Sequence, residues 1–188
     1  MKIHLEHTKL ITSILSISKK AGKEILEIYN QTDYGITYKE DNSPLTLADK
    51  ASNTIIENSL NKITPDIPIL SEEGKNISFS KREKWDLFWL IDPLDGTKEF
   101  IKKNGEFSVN IALISSGEPI LGVVYAPVLN TAWYGTKNNG SYKSQNGKAP
   151  TKINVIKPNT KIKVVTSRSH ANNPKLNLFL KDYPDYEL

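Results

Sequence analysis

Apolar residues at Leu10, Ile14, Ile17, Ala21, Ile25 and Ile28 recur every three or four positions, one face of a helix that the pattern predicts over about Glu6 to Tyr29. Ser43-Pro44-Leu45-Thr46 then leads into a second helical pattern through Ala51, Ile55, Leu60 and Ile63, which Pro65 and Pro68 close. The short apolar runs Ile67 to Leu70 and Leu87 to Ile91 read as buried strands. From Phe107 the period changes to two: Phe107, Val109, Ile111 and Leu113 alternate with Ser108, Asn110 and Ala112, and a sheet is predicted to begin there. Ser116-Gly117-Glu118-Pro119 turns the chain into Ile120 to Ala126, and Thr131 to Gly135 adds a strand before the turn Asn138-Asn139-Gly140, so an antiparallel meander is expected. After a looser segment around Gly147 and Pro150, Ile162 to Thr166 is a further β run, and Asn173-Pro174 opens a helix through Leu176, Phe179 and Leu180.

The 188 residues accommodate one domain, or one compact domain with a fragment of another. With 38% hydrophobic and 24% charged residues the composition is that of a soluble globular protein, not of a disordered, fibrous or membrane chain. The absence of Cys excludes disulfide scaffolds, thiolate zinc sites, iron–sulfur clusters and cysteine nucleophiles. Glu6, His7 and Lys9 interrupt the N-terminal apolar pattern, no run approaches the roughly 18 apolar residues of a membrane span, and no cleavage site follows, so a cytoplasmic location is expected.

Charge is unevenly distributed. Between Pro119 and Lys181 stand ten Lys or Arg and no Asp or Glu, a local net of +10 in a chain whose total is +4. An anionic ligand, a nucleic acid or an acidic membrane surface would each be drawn to that half, whereas a plain solvated lysine surface would not explain the missing acids.

The sharpest chemical feature is Asp92-Pro93-Leu94-Asp95-Gly96-Thr97, where a buried strand runs into a turn bearing two carboxylates. Pro93 favours an extended Asp92. Gly96 allows close approach of a ligand, and Thr97 is expected to cap a short helix over Lys98 to Lys102, beside which both carboxylates converge on one point. Asp-Pro and Asp-Gly alone are ordinary turn formers, but the whole hexapeptide arises by accident in roughly one chain of this size in 10⁵. Glu72 and Glu73 follow the apolar Ile69-Leu70; if the two strands are neighbours, Glu72, Asp92 and Asp95 form a cluster whose mutual repulsion a bound cation relieves. All-oxygen donors suit Mg²⁺, Mn²⁺ or Ca²⁺. Asp49, three residues after Thr46, fits a capping box or, alternatively, a hydrogen bond with Thr97 through which a water is deprotonated. The three histidines form no metal-like cluster, and neither G-x-S-x-G nor a P-loop occurs, which sets aside serine-hydrolase and P-loop chemistry.

The segments Asp41 to Asp49, Leu70-Ser71-Glu72-Glu73 and Trp89 to Phe100 resemble, in order, the inositol monophosphatase superfamily of magnesium-dependent phosphatases. Asp95 to Ile101, Asn104 to Phe107, Gly122 to Pro127 and Ser167-Arg168-Ser169-His170 resemble its branch of CysQ-type 3'(2'),5'-bisphosphate nucleotidases. The resemblance implies an α+β protein with the layered α/β/α/β/α sugar-phosphatase fold, residues 1–160 forming an N-terminal metal-binding part and 161–188 the start of a C-terminal α/β part. It implies two or more Mg²⁺ ions held by Glu72, Asp92, Asp95 and the Leu94 carbonyl, an attacking water oriented by Thr97 and Asp49 with Glu72 contributing, and a phosphate held at Gly96 and Thr97. Ser167, Arg168, Ser169 and His170 would lie on the nucleotide side, with Arg168 gripping a second phosphate. The implied reaction converts adenosine 3',5'-bisphosphate to AMP and phosphate in the cytoplasm, with no nucleic-acid partner. The basic half leaves room for peripheral contact with the inner membrane. Inositol monophosphatase or sugar bisphosphatase activity is the alternative within the same chemistry, and a non-catalytic anion- or membrane-surface-binding protein the alternative of another class. The family's W-D-x-A-A-G motif is absent, which reads as an incomplete C-terminal part and predicts impaired activity and an unpaired Ile162 to Thr166 edge.

Overall fold

Helix α1 (Lys2–Tyr29) opens the chain, followed by the two-residue strands β1 (Thr37–Tyr38) and β2 (Pro44–Leu45), which pair antiparallel and deliver the chain to α2 (Leu47–Ile63). After α2 come β3 (Ile69–Ser71), α3 (Phe79–Arg82), β4 (Leu87–Asp95), α4 (Thr97–Ile101), β5 (Ser108–Ser115), β6 (Glu118–Ala126), β7 (Thr131–Thr136), β8 (Gly140–Gln145) and β9 (Thr151–Ile153). This computed structural model describes residues 2–33, 35–40, 44–156, 162–166, 174–183 and 185–187, with side chains from Lys9 onward. The chain divides into two units, Met1–Ile153 and Asn154–Leu188.

Strands β3 to β9 form one seven-stranded sheet in sequence order, β3 parallel to β4 and every later pair antiparallel. The sheet therefore starts two strands earlier than the alternation suggests, because β3 and β4 carry little polar alternation of their own. Strands β8 and β9 were not expected. Their Ser, Lys and Gln residues read as loop, a composition common at a sheet edge, where charge discourages further pairing.

Helices α1 and α2 pack on each other and on one face of the sheet. Ile14, Ala21 and Ile25 of α1, Ile56 and Leu60 of α2, and Trp89, Ile91, Ile111 and Val123 of the sheet are at most 2% exposed and make the core. Between Leu87 and Asp92 only alternate residues of β4 enter it. Leu87 and Leu90 are 36% and 44% exposed, so the strand read as buried is buried only on the face that α1 and α2 cover. The other carries a groove of about 590 Å³ lined by Leu70, Leu90, Ala112, Val124 and Trp133, with Glu72 and Asp92 in its wall.

In the second unit, β10 (Ile162–Lys163), α5 (Pro174–Leu180) and β11 (Tyr186–Glu187) follow one another, and β10 pairs parallel with β11. Ile162 and Lys163 are thus paired on one side, while Ile162 stays 42% and Val165 95% exposed, as an incompletely paired edge would leave them. The chain returns through a helix, the connection that parallel strands require. Among the described residues no helix is long and apolar enough to cross a membrane.

Candidate active site

Asp49 stands in the first turn of α2, where Thr46 is the N-cap. The Thr46 hydroxyl accepts from the Ala48 N–H at 3.2 Å, while Asp49 Oδ2 accepts from the Thr46 N–H at 2.7 Å and its hydroxyl at 2.5 Å. The capping box is therefore formed, yet it uses only one carboxylate oxygen. Oδ1 accepts from the Thr97 hydroxyl at 3.1 Å, 48 residues away, so structural and chemical readings of Asp49 coexist in one side chain that is 1% exposed. Thr97 is the first residue of α4, and its hydroxyl does not cap that helix. The cap is Gly96, at φ 99°, where a Cβ would stand 2.7 Å from the Glu106 carbonyl oxygen. The second acceptor within reach of the Thr97 hydroxyl is the Leu94 carbonyl, at 3.3 Å. Phe100 anchors α4 from below: fully buried, it packs on Tyr29 and Phe107 with ring centroids 5.1 and 5.4 Å away.

Asp92 and Asp95 are three apart, and in a regular strand would point to opposite faces. The register resolves this: Asp92 faces Asn110 while Asp95 faces Ser108, so Pro93 and Leu94 on β4 stand against the single Val109 on β5, a bulge. The bulge returns both carboxylates to the face opposite the helices. Pro93, which has no N–H to lose, suits that place, and the buried Ser52 hydroxyl of α2 pins it by donating to the Pro93 carbonyl at 2.7 Å. Parallel pairing of β3 with β4 brings Glu72 alongside, its N–H donating to the Ile91 carbonyl at 3.1 Å.

These carboxylates crowd one another. Burial, with the neighbouring Glu72 and Asp95 charges, pushes Asp92 up to about 7, and its Oδ1 is the one buried side-chain polar atom without a hydrogen-bond partner among the described residues. Glu73, which the sequence analysis gave no role, is the more buried of the Glu pair, and burial raises its pKa despite Lys39. Lys39 Nζ binds Glu72 Oε1 at 2.9 Å and Glu73 Oε1 at 2.5 Å. Burial opposes the lysine's charge, but the two hydrogen bonds outweigh it and raise its pKa. Asn110 Nδ2 donates to Asp95 Oδ2 at 3.1 Å. Among the described residues no group of three acidic or histidine side chains has metal-holding geometry, while Glu72 and Asp95 stand close enough to Asp92 for their charges to act on it. The donor set nevertheless fits a hard divalent cation: every donor is oxygen, and a buried carboxylate oxygen lies unsatisfied among like charges.

Ser167, Arg168, Ser169 and His170 lie outside the described residues. Lys39, Ser52 and Asn110 were missed. The polar stripe Asp49-Ser52-Asn53, at helical spacing on α2, was a usable signal for Ser52, and Asn110 interrupts a strand as its polar phase does; nothing local marks Lys39.

Asp92 implies a pH dependence in chelator. A carboxyl with its folded pKa raised from 3.8 to about 7 contributes stability that is complete below the unfolded value and is lost as pH rises through the folded one. The melting temperature of Asp92→Asn should therefore gain on that of the wild type as pH goes from about 4 to 7. A constant difference between the two melting curves would contradict the buried, repelled carboxyl.

A model of the inositol monophosphatase family matches residues 6–185. The chain is 44% identical over 177 residues to the 3'(2'),5'-bisphosphate nucleotidase CysQ of Buchnera aphidicola, covering 92% of this chain and 64% of that protein. Against the CysQ of Escherichia coli K12 the identity is 44%, over 87% of this chain and 65% of the relative, so the chain spans just under two thirds of these proteins. Among solved structures, CysQ from Bacteroides thetaiotaomicron aligns with a TM-score of 0.80 and 34% identity, covering 96% of this chain and 71% of the other. An inositol monophosphatase from Thermotoga maritima aligns with a TM-score of 0.71 and 26% identity, over 94% and 65%.

Proposed function

This chain belongs to the inositol monophosphatase family, and on that premise we propose that it is a magnesium-dependent phosphomonoesterase converting adenosine 3',5'-bisphosphate to AMP and phosphate. The observation that carries the reading is the hydrogen bond from Thr97 to Asp49, which sets a proton acceptor on the turn that follows the unsatisfied Asp92 oxygen. The substrate follows from the similarity to the bisphosphate nucleotidases.

Glu72, Asp92, Asp95 and the Leu94 carbonyl would hold at least two Mg²⁺ ions. Bound there, they would supply charge neutralisation for the phosphoryl group and its attacking and leaving oxygens. Thr97 Oγ takes a proton from the attacking water as its own passes to Asp49 Oδ1. The water oxygen bonds to phosphorus, the ester P–O bond breaks, and the departing nucleoside oxygen is protonated from solvent. Gly96 and Thr97 are the residues proposed to hold the phosphate. By the resemblance alone, Ser167, Arg168, Ser169 and His170 are proposed as nucleotide-binding residues, a guanidinium being suited to a second phosphate.

Orthophosphate release measured with Mg²⁺ separates the candidate substrates. The kcat/KM for adenosine 3',5'-bisphosphate should exceed that for inositol 1-phosphate by about tenfold or more, the ratio given by roughly 1.4 kcal/mol of differential transition-state binding. The reverse preference would reject the substrate; release from neither compound would reject the activity.

A further inference from the structure

Lys39 is a cation placed among acids by the fold rather than by any motif. It follows β1, which is tied to β2 by pairing and by the Thr37 hydroxyl on the Leu45 carbonyl at 3.1 Å, and β2 runs straight into the cap of α2. Its side chain is 23% exposed and reaches carboxylates 33 and 34 residues away. The two differ in freedom: the Glu73 side chain is 9% exposed and the Glu72 side chain 54%. Glu72 pairs with Lys39, and its charge also acts on the Asp92 carboxyl.

We propose that Lys39 is a tethered counter-cation that neutralises Glu72 and Glu73 while no divalent ion is bound, and that it gives up Glu72, keeping Glu73, when one enters. This rests on the magnesium-dependent reading above. Two observations carry it. Glu72 Oε1 is engaged by Lys39 Nζ at 2.9 Å, and the same nitrogen also binds Glu73 Oε1. The more exposed Glu72 can swing away, whereas the enclosed Glu73 cannot follow. Lys39 thus lowers the affinity for divalent ions: a competing positive charge must be displaced and then tolerated nearby. A lysine that merely oriented Glu72 would have the opposite effect.

Calorimetric titration of the full chain with Mg²⁺ distinguishes these. Lys39→Met, which keeps the apolar stem, should bind Mg²⁺ about tenfold more tightly than wild type, and Lys39→Arg within about threefold of it. In chelator Lys39→Met should melt lower than wild type and gain more on adding Mg²⁺. Unchanged or weaker binding by a folded Lys39→Met would overturn the proposal. Should that variant not fold, acetylation of the wild type decides: Lys39 labelling, followed by peptide mass spectrometry, should rise severalfold with Mg²⁺, and a rate that Mg²⁺ leaves alone would overturn it. Absence of Mg²⁺ uptake by wild type would defeat the metal-dependent reading and this inference together, whereas uptake with no Lys39 effect defeats the inference alone.

Discussion

Asp49→Asn should lower the rate of phosphate release by about 10²- to 10⁴-fold, the span associated with losing a positioned general base. An amide in that place cannot take the Thr97 proton. Its NH₂ must also face either the Thr97 hydroxyl or the Thr46 donors, because the two carboxylate oxygens now serve one partner set each. The second consequence is a stability loss of about 1 kcal/mol through the damaged cap. Steady-state kinetics with a melting curve on the same preparation separates the effects: kcat should collapse while the protein remains folded and KM changes little. Thr97→Ser should keep most of the activity, since it keeps the hydroxyl, and Thr97→Val should lose it. An Asp49→Asn protein within tenfold of wild type would mean that the proton leaves by another route.

Trp89→Ala is expected to cost about 3–5 kcal/mol, enough to threaten folding of a domain of ordinary stability. Trp89 is fully buried at the centre of β4, and its indole N–H donates to the Thr64 hydroxyl at 2.9 Å, on the residue that ends α2. The truncation leaves a cavity against the core and an unmatched Thr64 contact. Trp85→Ala is the control. That ring is only half-buried and stacks obliquely on Phe88 at 5.9 Å, so its loss should cost about 1 kcal/mol. Denaturant titration of both variants gives the comparison, and equal costs would show that the core does not depend on the β4 side chains facing the helices.

The predictable and the unpredictable parts of this fold divide by the reach of the interaction. The three- and four-residue spacing along α1 names most of the side chains that enter the core, because a helix turns every 3.6 residues whatever it later packs against. Likewise the alternation in β5 names Val109, Ile111 and Leu113 as inward residues. The same reasoning overstates β4: an unbroken apolar run reads as a buried strand, and only the arrangement of α1 and α2 shows that these helices cover one of its faces. It also places the cap of α4 one residue late, at Thr97. The Glu106 and Phe107 backbone beside the left-handed Gly96 leaves no room for a Cβ, and that closeness cannot be seen in the hexapeptide.

By itself the sequence determined the helical faces, the meander from β5 to β7, the turn chemistry around Asp92 to Thr97, and which acidic residues were worth watching. All of these depend on preferences expressed within a few residues. Tertiary structure alone decided that a bulge turns Asp92 and Asp95 to one side, that Ser52 pins that bulge across 41 residues, and that Lys39 sits between Glu72 and Glu73. A charge–charge or hydrogen-bonding distance between distant segments is the outcome of packing whole helices against a sheet, and no short window of residues contains it.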